Sequence, residues 1–345
     1  MTAAGLLARL TATPDVYPQK LEVVRDALLA IEFTQAAYRD ASFLDDRILG
    51  PATRGGWLPI DRVLEAARQV ENPRPLHFIF HTGHVGSTLI SRLLDEADDV
   101  LPLREPLPLR TLAEALDVLH RPESLLSPER FNALLAGMTR LWSRGYTASK
   151  CVILKATSST GRLAPALLAQ PGVRAIYVNQ CAESAIATLL AGANSPLDLR
   201  GHGPGRIQRL CARLGPLTPL YELTPGEMAA MSWLAESLCQ HEVVTQFPAQ
   251  VLQVDFDEFL GNIADGMRRV LGQFGLAAAE ETVSRLAGSP VLMRYSKAPE
   301  HPYGPALRQQ VLEQTRREHR VEIGRGRDWL DRLAQTHEAV AAVLS

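Results

Sequence analysis

Residues 76–94 read LHFIFHTGHVGSTLISRLL. An apolar run of strand length passes into Thr82, Gly83, His84, Val85, Gly86, Ser87 and Thr88. Leu89, Ile90, Leu93 and Leu94 then recur at the spacing of a buried helix face. A glycine-containing turn between a strand and a helix aims several backbone N–H groups, and the positive end of the helix dipole, at one point. Such a point suits phosphate or a similar anion. The glycines permit positive φ and close approach, and Ser87 and Thr88 add hydroxyls where the helix begins. Beside an anion the charged form of His84 is favoured, which suits it to stabilise charge on a leaving group. The loop is not a Walker A sequence, because Gly83 and Gly86 stand too close together and no lysine precedes Ser87. His77, His81 and His84 do not read as a metal site: at roughly 3.3 Å per strand residue the first two lie about 13 Å apart. No bound metal is expected.

Two further segments carry reactive side chains. VLPLREPLPLR (100–110) follows the first crossover helix, so the end of its strand is expected beside the anion loop, at the edge where doubly wound sheets bind ligands. Glu105 stands there as a carboxylate able to take a proton. Arg104 and Arg110 stand beside it, either to hold a substrate or to pair with Glu105. CVILKATSSTGRL (151–163) reads as a buried strand ending in Lys155, followed by Thr157, Ser158, Ser159 and Thr160. Lys155 is placed to neutralise charge on a transferring group or to grip an acidic acceptor; the hydroxyls serve a ligand or cap a helix.

TGHVGSTLISRLL resembles the 5′-phosphosulfate loop of the PAPS-dependent sulfotransferases, PAPS being 3′-phosphoadenosine-5′-phosphosulfate. VLQVDFDEFLGNIADGMRRVLGQFGL (251–276) is similar to the late strand, acidic turn and helix of that family. AIYVNQCAESAIATLL (175–190) is similar to its 3′-phosphate segment, so the likeness covers roughly residues 75–300. It implies a P-loop-like α/β fold, PAPS as donor, a small-molecule acceptor, Glu105 as base, and Gln180 and Thr188 near the 3′-phosphate. His84 and Lys155 would stabilise the transition state. Two positions depart from the family pattern. His84 stands where a Lys or Arg is usual, and Gln180 where an Arg is usual. Gln180 bonds a phosphate only as a neutral donor, so the missing charge has to come from elsewhere; Arg294 and Lys297 are candidates. Two other readings remain open: a kinase or NTPase holding Mg-ATP through Asp255, and a degenerate loop that binds without turnover.

The elements that must position these residues follow from periodicity. LHFIF (76–80), VLPL (100–103), CVILK (151–155), VRAIYV (173–178) and VLQVDF (251–256) are short and mostly apolar on both faces, as strands of a covered parallel sheet are. Helical stretches separate them, so a doubly wound sheet of about five strands is predicted over 75–300. Residues 1–74 are predicted to be a helical cap, with helices over 21–40 and 58–70. Residues 192–240 contain a Gly-, Pro- and Arg-rich connection that reads as a lid, ending in a helix start with Thr224 as N-cap and Glu227 three residues on. Helices over 301–345 are expected to pack on the core.

Composition bounds the function. The chain has 345 residues, 36 Lys and Arg against 38 Asp and Glu, and 46% hydrophobic residues. A net charge of −2 argues against a protein that coats nucleic acid by bulk charge. Only Lys20, Lys150, Lys155 and Lys297 are lysines, so the anion site must be local. No apolar run is long enough for a membrane span, and the first residues do not read as a signal peptide. Four isolated cysteines, with no CxxC pair, suggest a reducing cytoplasm.

Overall fold

A computed structural model describes residues 2–97, 99–298 and 300–344. The chain starts with helix α1 (Ala3–Ala12) and then forms strands β1 (Val16–Glu22) and β2 (Ala27–Glu32), an antiparallel hairpin in which Leu21 faces Leu28. The helix predicted over 21–40 is therefore largely replaced by strand; only α2 (Gln35–Asp40) is helical. LEVVRDALLAIE carries apolar residues densely enough to satisfy either period. The turn decides between them: Asp26 adopts φ 48° and its N–H bonds the carbonyl of Val23. Asp is among the few residue types that accept this conformation. Strand β3 (Gly55–Pro59) joins the hairpin as a third strand, and α3 (Ile60–Arg68) follows where a helix is predicted. Tyr17, Phe33 and Tyr38 pack together, with Tyr38 edge to face on the other two rings.

The predicted strands of the main sheet form β4 (Leu76–His81), β5 (Val100–Arg104), β6 (Cys151–Lys155), β7 (Ala175–Asn179) and β8 (Val251–Asp255). Their order is β5-β6-β4-β7-β8. The chain leaves central β4 for one edge, returns, and then builds the other side, which makes the fold a doubly wound α/β architecture. β6 pairs in parallel with both neighbours, placing Lys155 opposite Arg104 and Ile79. The crossovers run through α4 (Ser87–Asp95), α5 (Leu107–Val118), α6 (Pro128–Trp142) and α7 (Ala164–Leu168).

Two compact units interleave along the sequence. The first comprises Met1–Ile79, Thr88–Ala175 and Ser296–Ala298; the second comprises Phe80–Ser87, Ile176–Tyr295 and Pro299–Ser345. In the second, α8 (Ala182–Ala191) leads into α9 (Ser195–Leu214) and α10 (Pro225–Gln246). The connection predicted over 192–240 is thus mostly helix. Three glycines and Pro204 argue against α9 locally. A buried charge cluster compensates: Arg206 and Arg209 both donate to Glu236 Oε1 of α10, at 3.0 and 2.8 Å. The predicted capping box at the start of α10 is present, with Thr224 and Glu227 bonding reciprocally. After α11 (Phe256–Gly261), α12 (Ile263–Gln273) and α13 (Glu280–Ala287), the chain ends in α14 (Pro305–Glu318), α15 (Arg320–Ala334) and α16 (Glu338–Leu344). Leu312, Ile323, Trp329, Leu330 and Val340 of these last helices share one apolar core with α8 and α10. Gly226 and Gly326 let the α10 and α15 backbones meet, since a Cβ on Gly226 would fall 1.8 Å from the Glu322 carbonyl oxygen. No helix among the described residues is long and apolar enough to cross a membrane.

Candidate functional site

The loop after β4 leaves the sheet at the carboxyl end of the strand where the order reverses, the place at which such sheets bind ligands. Its backbone is unusual. Gly83, His84 and Gly86 have φ of 105°, 55° and 68°. Histidine is among the few side chains that enter this region readily, so the loop tolerates His84 there, half-buried. At Gly86 the conformation and the space both require glycine: a Cβ would lie 1.9 Å from the Phe256 ring. Thr82 Oγ1 donates to Asn179 Oδ1 at 2.8 Å, and the Gly83 N–H donates to His81 Nδ1 at 3.1 Å. Val85 is buried, anchoring the turn, and Ser87 opens α4. The next residue, Thr88, is 2% exposed, and its Oγ1 has no hydrogen-bond partner among the described residues. A buried hydroxyl without a partner is costly in the absence of a ligand.

Beside this loop in the second unit stands an amide cluster. Asn179 Oδ1 also accepts from the Gln180 backbone N–H at 2.8 Å and from Trp233 Nε1 at 3.2 Å. Asn179 Nδ2 donates to Gln240 Oε1 at 2.6 Å. Gln180 and Thr188, predicted to share one ligand group, are in contact: Gln180 Nε2 donates to Thr188 Oγ1 at 3.3 Å. Gln180 also meets a cation that the sequence did not single out. Arg308 of α14 donates to Gln180 Oε1 at 3.1 Å, pairs with Asp257 at 2.8 Å, and lies over the Phe256 ring at 5.1 Å. Arg294, one of the two suggested substitutes, is exposed. The only signal for Arg308 was its charge, on a charged helix expected to pack on the core.

Glu105, Lys155, Arg104, Arg110 and Lys297 belong to the first unit. Glu105 follows β5 with φ 56°, its N–H bonding the Lys155 carbonyl at 2.7 Å. Lys155 Nζ donates to Glu105 Oε1, and Thr157 Oγ1 donates to Oε2 at 3.3 Å. Burial opposes the charge on Glu105, but Lys155 outweighs it, with Lys297 and Arg110 adding, so the carboxyl stays below its ordinary range. Burial also pulls Lys155 down against the attraction of Glu105.

Arg104 is a correction. It was expected to hold a substrate or pair with Glu105, but its side chain is 0% exposed and its donors are committed inside the fold. Nε bonds Ser91, Nη2 bonds Asp95 at 2.8 Å, and Nη1 bonds the carbonyls of Tyr38, Arg39 and Ala41. Lys155, opposite Arg104 on the neighbouring strand, takes the Glu105 carboxylate instead. Asp255, the magnesium ligand of the NTPase reading, caps α11: its Oδ1 accepts from the N–H groups of Asp257 and Glu258. Among the described residues no group of three or more His, Cys, Asp or Glu side chains is placed to hold a metal ion. His77 is buried in β4, and its Nδ1 accepts from the Arg174 N–H at 3.2 Å.

No family model matches the sequence, and no curated protein matches it. Among solved structures the chain is similar to a sulfotransferase domain from the curacin biosynthetic pathway, with 12% identity over 72% of this chain and 98% of that one, at a TM-score of 0.40. A sulfotransferase domain from the Synechococcus PCC 7002 olefin synthase shows 14% identity, covering 71% and 95%, at a TM-score of 0.39. The sulfotransferase STF9 from Mycobacterium avium shows 14% identity, covering 92% and 95%, at a TM-score of 0.38.

Proposed function

We propose that the chain is a sulfotransferase-like enzyme that moves a sulfuryl group from PAPS to a hydroxyl or amine of a small-molecule acceptor. The observation that carries this reading is Arg308 on Gln180. The resemblance asks for an arginine at the 3′-phosphate, and a different arginine supports that need, beside Thr188. Thr88 Oγ1 supports the 5′ end as a buried hydroxyl in need of a partner. Loop 82–88 would hold the phosphosulfate through its backbone N–H groups and the helix start.

PAPS, when bound, supplies a sulfuryl group attached to a phosphate leaving group. The protein's side chains divide the remaining work. Glu105 takes the acceptor proton at a carboxylate oxygen, and its low pKa keeps it ionised for that role at neutral pH. His84 holds positive charge toward the departing oxygen, a preorganised form of stabilisation, and Lys155 sets the charge of Glu105. Four free cysteines favour a reducing, cytoplasmic setting for the same reading.

Calorimetry tests the donor assignment. Binding of 3′-phosphoadenosine-5′-phosphate (PAP) without added metal is expected, and Arg308→Gln is expected to weaken it. Tight binding of ATP with Mg²⁺ and no response to PAP would overturn the reading in favour of an NTPase.

A further inference from the structure

The surroundings of Glu105 bear on the acceptor. Lys155 already matches the charge of Glu105, and its side chain is 0% exposed in that pairing. Two more cations, Arg110 and Lys297, act on the same carboxylate, and Lys297 acts on Lys155 as well. Both are half-buried. Among the described residues Arg110 also acts weakly on Asp45, which Arg47 already occupies with bonds of 2.8 and 2.5 Å. With Glu105 set against Lys155 and Asp45 against Arg47, neither Arg110 nor Lys297 forms an ion pair of its own among the described residues. Arg110 Nε is buried with no hydrogen-bond partner among the described residues. Helix α5 begins two residues after Glu105 with no side-chain cap, which adds the positive end of its dipole. A chain with only four lysines has placed two of them here. Half-buried like charges with an unmet donor are unfavourable unless an anion joins them.

We propose that this cluster recognises an anionic oxyacid group on the acceptor, with Arg110 and Lys297 as the specificity-determining contacts, so that the group receiving sulfate is carried by an acidic small molecule. The inference rests on the sulfotransferase reading and adds the substrate class to it. Glu105 accepts the proton of the attacking hydroxyl while Arg110 and Lys297 bind the acid.

The test is transfer from sulfur-35-labelled PAPS to matched pairs of hydroxyl compounds with and without a carboxylate or phosphate, such as 4-hydroxyphenylacetate against 4-methylphenol and glucose 6-phosphate against glucose. PAP calorimetry runs alongside. Acids are expected to exceed their neutral partners in kcat/KM by about ten- to a hundredfold, the range of a charged hydrogen bond. Arg110→Gln and, separately, Lys297→Gln should raise KM for the acid about tenfold or more, with PAP affinity unchanged. Equal turnover of neutral partners, or no turnover of any acid while PAP binds, would overturn the inference alone. Absence of PAP binding would overturn the donor reading and this inference with it.

Discussion

The two regions that bear the proposed chemistry are built from opposite materials. The loop after β4 and its neighbours Asn179, Gln180 and Thr188 offer mainly backbone N–H groups, amides and hydroxyls, with His84 in the loop and Arg308 on the Gln180 side chain. The surroundings of Glu105 are dense in charge, with a buried carboxylate facing Lys155, Lys297 and Arg110. A site formed from backbone geometry should tolerate loss of a basic side chain, since its N–H donors remain. A site formed from buried charges does not, because removing one member strands another.

The largest effect should come from breaking the charged region. Glu105→Gln is expected to lower kcat by about 10²- to 10⁴-fold while PAP affinity, measured by calorimetry, is unchanged. It also leaves Lys155 buried without a counter-charge, at about 3–5 kcal/mol in stability. Glu105→Gln combined with Lys155→Met should recover the melting temperature but not turnover. Recovery of turnover would make the pair structural only.

Acid should separate the regions next. Burial, followed by Arg174, lowers His77 to about 4 from an ordinary 6.5. The unfolded chain therefore binds a proton that the folded chain refuses. Stability from this group is complete above pH 6.5 and falls as pH drops toward 4, by about 3 kcal/mol in all. Glu105, also lowered, adds a further loss as pH falls through its folded value, below the ordinary carboxylate range. Urea unfolding at pH 7.5 and 4.5 measures most of the His77 loss, and a further point at pH 3 adds that of Glu105. A His77→Asn variant should flatten the upper part of the profile, and an unchanged slope would contradict the assignment.

Arg308→Gln probes the loop region through the cation on Gln180. PAP affinity should fall about ten- to a hundredfold, while adenosine 5′-phosphosulfate, which lacks the 3′-phosphate, should bind equally well to both proteins. Equal losses for the two ligands would place Arg308 in the scaffold. Smallest in energy is Gly86→Ala, which asks a side chain to accept φ 68° against the Phe256 ring. About 1–3 kcal/mol of stability and part of the PAP affinity should be lost. Phe256→Leu in the same chain should return some of each.

What was legible in the sequence followed the same division. The loop and the five sheet strands could be read because a strand apolar on both faces and a glycine turn are local patterns. The Glu105 cluster draws on residues 105, 110, 155 and 297, and Arg308 reaches Gln180 across 128 positions, so no window of sequence contains either arrangement. Arg104 misled for a related reason: next to Glu105 in the chain, it spends its donors on Ser91, Asp95 and backbone carbonyls far away in sequence. The hairpin β1–β2 was hidden because its apolar spacing fits a helix until the turn at Asp26 is known. Helix α9 was hidden because its glycines and Pro204 disfavour it, and Glu236, which holds it, lies 30 residues beyond Arg206.

A crystal structure with PAP tests the central claim most directly. The account predicts the 5′-phosphate on the backbone of residues 82–88 with Thr88 Oγ1 engaged, and the 3′-phosphate on Arg308 and Thr188. PAP bound elsewhere, or Arg308 still on Asp257 and Gln180 with no phosphate near it, would contradict the account.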